Sequence, residues 1–157
     1  MAGQLWFLRH GEAEPHGARP DEHRRLTKRG ETQSRAAGRA LAALELTFQL
    51  VATSPRVRSL DTARLACESL GAEPVVHDPL SGGFDIDDAI ELVHAAGADK
   101  RLLVVGHNPD FEQVAADLTG ARIDLKKGGI AAVRLRAQRR GELICLMRPR
   151  EIARIAG

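Results

Sequence analysis

The chain predicts an α/β domain, a mostly parallel sheet covered by helices on both faces in three layers. Three observations predict it. Short continuous apolar runs (QLWFL at 4–8, FQLVATS at 48–54, RLLVVG at 101–106) have the length of buried strands and no helical period. The stretches between them place apolar residues at three- and four-residue spacing, the period of helices. No repeat, composition shift or linker divides the 157 residues, so a single domain spanning 1–157 is expected.

The elements follow in order. Residues 4–8 form the first strand, and the polar stretch 12–25, with Pro15, Gly17 and Pro20, reads as a loop. Thr27 can cap a helix over 28–44, where Ala36, Ala37, Ala40, Leu41 and Leu44 make one apolar face. After the second strand, Ser54 and Pro55 signal entry into a helix that stops near Gly71. PVVHD at 74–78 reads as a short strand. Asp85 or Asp87 caps a helix holding Ile86, Ile90, Leu92 and Val93. The run at 101–106 is followed by a helix from Pro109 to about Leu118. IAAVRLR and ELICLMR read as a hairpin around Gly141, and EIARIAG as a short terminal helix.

Composition narrows the function classes. Apolar residues make up 43% and charged residues 28%, a globular balance. Aromatic residues are only 3%, so the core must be aliphatic. The 23 basic and 21 acidic residues give a net charge of +2, too balanced to argue for nucleic acid as a partner. No apolar stretch reaches the roughly 20 residues a membrane helix needs, and the N-terminus lacks the pattern of a secretory leader. Cys67 and Cys145 stand far apart and read as buried thiols of a reducing compartment. A cytoplasmic protein is the expectation, with no membrane contact and nothing that demands more than a monomer.

In parallel sheets ligands bind beyond the carboxyl ends of the strands. Three ends here carry chemistry: Arg9–His10–Gly11, Thr53–Ser54–Pro55 and Gly106–His107–Asn108–Pro109. Taken singly, a histidine after a strand is commonly a structural donor, and Arg9 or Arg58 a surface charge. The combination carries more. Two histidines end two strands beside glycines, an arginine precedes one of them, and Arg58 lies near a helix N-terminus where anions are favoured. Guanidinium groups can fork onto a phosphate. A neutral imidazole can attack phosphorus, and a second can donate to oxygens that gain charge. That scheme calls for no metal and no cofactor. The spacing of His10, His16 and His23 matches no tetrahedral metal motif.

Four segments in order, RHG at 9–11, LTKRG at 26–30, SPRVRSLDTA at 54–63 and GHNP at 106–109, resemble the histidine phosphatase superfamily with its phosphoglycerate mutase-like fold. The chain length and LKKGGIAAVRL near 125–135 resemble the SixA-type protein phosphohistidine phosphatases. The resemblance implies that His10 is the nucleophile that becomes phosphohistidine. It implies that Arg9 and Arg58 bind the phosphoryl oxygens and that His107 is the transition-state donor. Gly11 would keep the approach to His10 free of a side chain. Arg24 aligns with a further phosphate-binding arginine, but Arg25 stands where the family has proline, so either could face the phosphate. Ser59 replaces the family's usual alanine.

Many members of the superfamily use a carboxylate as general acid, and Asp85 is the candidate here, with helix N-cap as its competing role. Asp61 is as well explained by pairing with Arg58 or Arg64. A site without a well-placed acid suits a phosphoramidate, because an imidazole leaves more readily than an alkoxide. Only about 20 residues separate Asp78 from Ala98, which leaves no room for a long lid and predicts a shallow cleft open to a side chain of another protein. The expected activity is therefore removal of phosphate from phosphohistidine on a partner protein. A small-molecule phosphoesterase is the alternative, and a non-catalytic phosphate-binding module the competitor from another class. The basic run Arg19, Arg24, Arg25, Lys28 and Arg29 reads as a solvated face or as a surface that steers an acidic partner.

Overall fold

Strand β1 (Gln4–Arg9) realises the opening run and sorts its side chains between two cores. Leu5 and Phe7 face one, Trp6 and Leu8 the other, as the two-residue period of a strand requires. The computed structural model describes residues 2–137 and 139–157. Helices α1 (Lys28–Ala43) and α2 (Val57–Cys67), with the C-terminal helix α5 (Pro149–Ala156), cover the Trp6 face. Helices α3 (Ile86–Ala96) and α4 (Asp110–Thr119) cover the Phe7 face.

The remaining strands are β2 (Leu50–Thr53), β3 (Val75–Val76), β4 (Arg101–Gly106), β5 (Ile130–Ala137) and β6 (Arg140–Met147). They form one sheet in the order β3-β2-β4-β1-β5-β6. The first four strands of that order run parallel, while β5 and β6 are antiparallel to their neighbours. The expected three-layer, mostly parallel arrangement is thus present.

Local chemistry explains the boundaries. The Thr27 side chain accepts from the Gly30 amide and starts α1 as expected. Asp85 caps α3 in a reciprocal capping box with Asp88. Three aromatic rings gather in one core, Phe7 against Phe111 at 5.1 Å and Phe84 against Phe111 at 6.2 Å, while Trp6 meets Phe48 in the other at 6.1 Å. Gly38 lets α1 approach α2 closely, since a Cβ there would stand 2.1 Å from the Ala66 carbonyl.

Several expectations shift. Helix α2 starts at Val57 rather than at Pro55, because the Ser54 hydroxyl accepts from the Arg56 amide and turns the chain first. It ends at Cys67, with turns carrying the chain on to Gly71. The strand expected over 74–78 shrinks to Val75–Val76 at the sheet edge. The hairpin turns between Ala137 and Arg140, and Gly141 lies inside β6 opposite Leu135, where a Cβ would meet the Arg134 carbonyl at 2.7 Å. Gln138 lies outside the described residues.

Candidate active site

The three chemistry-bearing strand ends belong to three neighbouring strands, β2, β4 and β1. The ladder runs on past their last residues: the Ser54 amide donates to the Val105 carbonyl and the His10 amide to the Gly106 carbonyl, each at 3.0 Å. His10 and His107 therefore leave the sheet side by side, with ring centroids 5.3 Å apart. The loop leading into the neighbouring strand β5 ties β1 down. The Gly128 amide bonds to the Arg9 and His10 carbonyls, and the Arg9 amide donates to the Gly129 carbonyl.

His10 is 6% exposed. Its Nδ1 lies 2.7 Å from the Gly11 carbonyl oxygen, which can only accept, so Nδ1 carries the hydrogen and Nε2 keeps its lone pair. Burial, with His107, Arg58 and Arg9 nearby, pushes the imidazole down to about 3 despite the Gly11 hydrogen bond. His107 is also held near 3, by burial and then by Arg58 and Arg56. Its Nε2 is 2.8 Å from the Ser54 hydroxyl and 3.4 Å from that of Ser59. The departure from the family pattern at Ser59 thus adds a hydroxyl beside the second imidazole. Both rings are neutral at physiological pH.

Packing against α1 also requires glycine at position 11. A Cβ there would stand 2.6 Å from the Gly30 carbonyl, so the glycine admits the first turn of α1 against the loop. Its amide donates to Thr62 Oγ1 and its carbonyl fixes the His10 tautomer. Through that carbonyl it orients His10.

Arg9 and Arg58 lie close to both histidines and Arg56 close to His107, while Arg24 joins them through Asp21, with one Nη on the Glu14 carbonyl at 2.7 Å. Arg9 spends one Nη on the Leu125 carbonyl, at 2.9 Å. Arg58 and Arg24 are 6% and 7% exposed, whereas Arg25 is exposed. Of the two arginines left open by the sequence, Arg24 is therefore the buried one, just before the isolated bridge from Ala13 to Leu26. Among the described residues, the Nε groups of Arg9 and Arg58 are buried donors without a partner, an unusual condition that an anion would relieve.

The residue that sequence reasoning missed is Asp21, in a one-turn 3₁₀ helix (Asp21–His23). Its carboxylate accepts from Arg24 Nε at 3.0 Å, from Arg58 Nη2 at 3.2 Å and from Arg56 Nη1. Its backbone carbonyl accepts from Arg58 Nη1 at 2.7 Å. Partial desolvation works against ionisation, but the Arg24 and Arg58 contacts keep the carboxyl below the usual carboxylate range. Nothing in the loop composition marks this role, because the partners lie up to 37 residues away. Asp85 is absent from the cluster's hydrogen bonds, its carboxylate being taken by the Asp88 amide at 2.9 Å. The interval from Asp78 to Ala98 contains a 3₁₀ turn (Asp78–Ser81) and α3, with no long covering segment. Among the described residues no cluster of three metal-ligating side chains occurs, and no helix is long and apolar enough to cross a membrane.

Two neutral imidazoles at adjacent strand ends, ringed by guanidinium groups, define an α/β protein with a site for phosphoryl chemistry. The comparisons agree. The profile of the histidine phosphatase superfamily (branch 1) matches residues 5–81. An uncharacterized protein of Picosynechococcus sp. is 34% identical, over 94% of this chain and 97% of that protein. The structure of the protein histidine phosphatase SixA complexed with tungstate superposes with a TM-score of 0.86 at 24% identity, covering 95% of this chain and 99% of the other. The alpha-ribazole phosphatase of Shigella flexneri gives 0.76 at 18% identity, over 93% and 96%. The chain belongs to the histidine phosphatase superfamily, and its fold is SixA-like.

Proposed function

We propose that this single-domain protein dephosphorylates phosphohistidine on a partner protein through a covalent phosphohistidine at His10. The observation that carries the proposal is the state of His10: neutral, in one fixed tautomer that leaves Nε2 its lone pair, with His107, Arg9 and Arg58 nearby. Nε2 attacks the phosphorus while the P–N bond to the substrate imidazole breaks, and that imidazole leaves with a proton from solvent. Arg9, Arg24 and Arg58 bind the phosphoryl oxygens, the unpartnered Nε groups of Arg9 and Arg58 gaining acceptors. His107, held by Ser54, donates to an oxygen whose charge rises in the transition state. Water then attacks the phosphoenzyme, breaking the bond to His10 and releasing phosphate.

The leaving group selects the substrate class. An alkoxide needs a proton from an acid. The carboxyl group nearest the cluster's arginines, Asp21, is held ionised by them and is a poor donor. An imidazole leaves with less help. The test is hydrolysis of a phosphohistidine peptide and of a simple alkyl phosphate by the same preparation. We expect the phosphohistidine to be cleaved by far the faster. Equal rates would move the reading to a small-molecule phosphoesterase. Phosphate binding with no release from either would move it to a binding module.

A further inference from the structure

Next to the histidine pair, sharing Arg9 with it, lies an open groove of about 490 Å³. That volume falls within the range of about 300–1,000 Å³ typical of ligand sites. Its charge is one-sided: Arg9, Arg29, Lys126, Lys127, Arg148 and Arg150 line it against a single acid, Glu12. Glu12 is already engaged, accepting from the Thr27 hydroxyl at 2.8 Å. Some of the cations have acidic neighbours, Lys126 with Asp124, Arg148 with Glu151 and, at 3.8 Å, Arg150 with the same Glu151. Arg29 and Lys127 have no ion pair among the described residues.

The positions of these cations are unfavourable for folding. Arg29 is the second residue of α1, Arg148 is the N-cap of α5 and Arg150 its second residue. Helix N-termini carry partial positive charge and prefer acids. Two helices thus direct their positive ends and first-turn cations at one groove. Of the basic run in the sequence, only Arg29 takes part. Arg24 turns inward to Asp21, and Arg19 pairs with Glu14.

We propose that this groove docks an acidic segment of the phosphoprotein substrate, its Asp or Glu side chains pairing with Arg29, Lys127 and Arg150. The proposal rests on the phosphatase reading above for the identity of the peptide. Charge complementarity argues for a peptide. The cations are exposed, sit on flexible stems and come from three separate segments, which suits an extended chain. A compact polyanion calls for donors that converge. The shared Arg9 places the groove within reach of residues flanking the phosphohistidine.

The test uses fluorescence anisotropy on the whole protein. One labelled, unphosphorylated peptide carries glutamates around a central histidine, and its control carries glutamines. The wild type should bind the acidic peptide about tenfold more tightly, less so at high salt, and Lys127→Glu/Arg150→Glu should abolish the preference. Arg150→Glu places an acid at a helix N-terminus, so folding is retained, and circular dichroism checks this. Equal binding of the two peptides, or an unchanged preference in the variant, overturns the proposal. So does tighter binding of inorganic tripolyphosphate than of the acidic peptide. The same two peptides carrying phosphohistidine separate this idea from the functional reading. Hydrolysis without an acidic preference overturns the groove alone. Retained peptide binding without hydrolysis overturns the phosphatase reading and, with it, the peptide's identity as substrate.

Discussion

Acidification from about pH 7.5 to about pH 5 should destabilise the folded protein by about 2 kcal/mol through His10 alone. In the folded chain burial depresses the His10 imidazole from 6.5 to about 3, and that of His107 likewise. The unfolded chain therefore takes up protons below pH 6.5 that the folded chain refuses. Stability from this source is flat above 6.5, falls as pH drops through the window from 6.5 to about 3, and levels off below it. The full displacement from 6.5 to about 3 corresponds to about 5 kcal/mol per ring, of which about 2 kcal/mol is expressed at pH 5. Urea unfolding at both pH values, on the wild type and on His10→Asn, isolates the effect. Asparagine can still donate to the Gly11 carbonyl and does not titrate. The loss between the two pH values should be smaller in the variant by about 2 kcal/mol. An equal loss in both proteins would mean that His10 takes up a proton freely in the folded state, and the neutral nucleophile would have to be abandoned.

Two further substitutions separate roles within the site. Asp21→Asn removes the negative charge that holds Arg24, Arg56 and Arg58 together. With the carboxylate partly exposed, steady-state kinetics should show KM for a phosphohistidine substrate rising by about five- to tenfold. An unchanged KM would mean that the arginines hold their geometry without it. Asp85→Ala removes the N-cap of α3 and should lower stability by about 1 kcal/mol in thermal unfolding while leaving kcat in place. A fall in kcat of about a hundredfold or more would instead identify Asp85 as a general acid.

The strand ends were legible because each apolar run stops abruptly at residues no core would accept, Arg9–His10 and His107 among them. Their juxtaposition followed from the alternation of strands and helices, which makes β1, β2 and β4 parallel. What was not legible depends on contacts remote in sequence. Asp21 becomes a hub only because a loop folds back over the start of α2. Gly11 answers to Gly30, a partner that only the packed fold supplies. Arg24 and Arg25 are chemically alike, and only the folded loop, with Asp21 and the Glu14 carbonyl as partners for Arg24, distinguishes the buried one. Gly141 has the composition of a turn but sits inside a strand, where its missing side chain makes room for Val133.

Trapping the covalent intermediate tests the proposed chemistry most directly. The protein is mixed with a phosphohistidine protein, quenched within the turnover time under conditions that spare the P–N bond, and weighed intact, with peptide mapping of any adduct. A transient gain of one phosphoryl group on His10, absent from His10→Asn and formed much more slowly from an alkyl phosphate, is the expected result. Phosphate release at full rate with no adduct at His10, or an adduct at another residue, would contradict it.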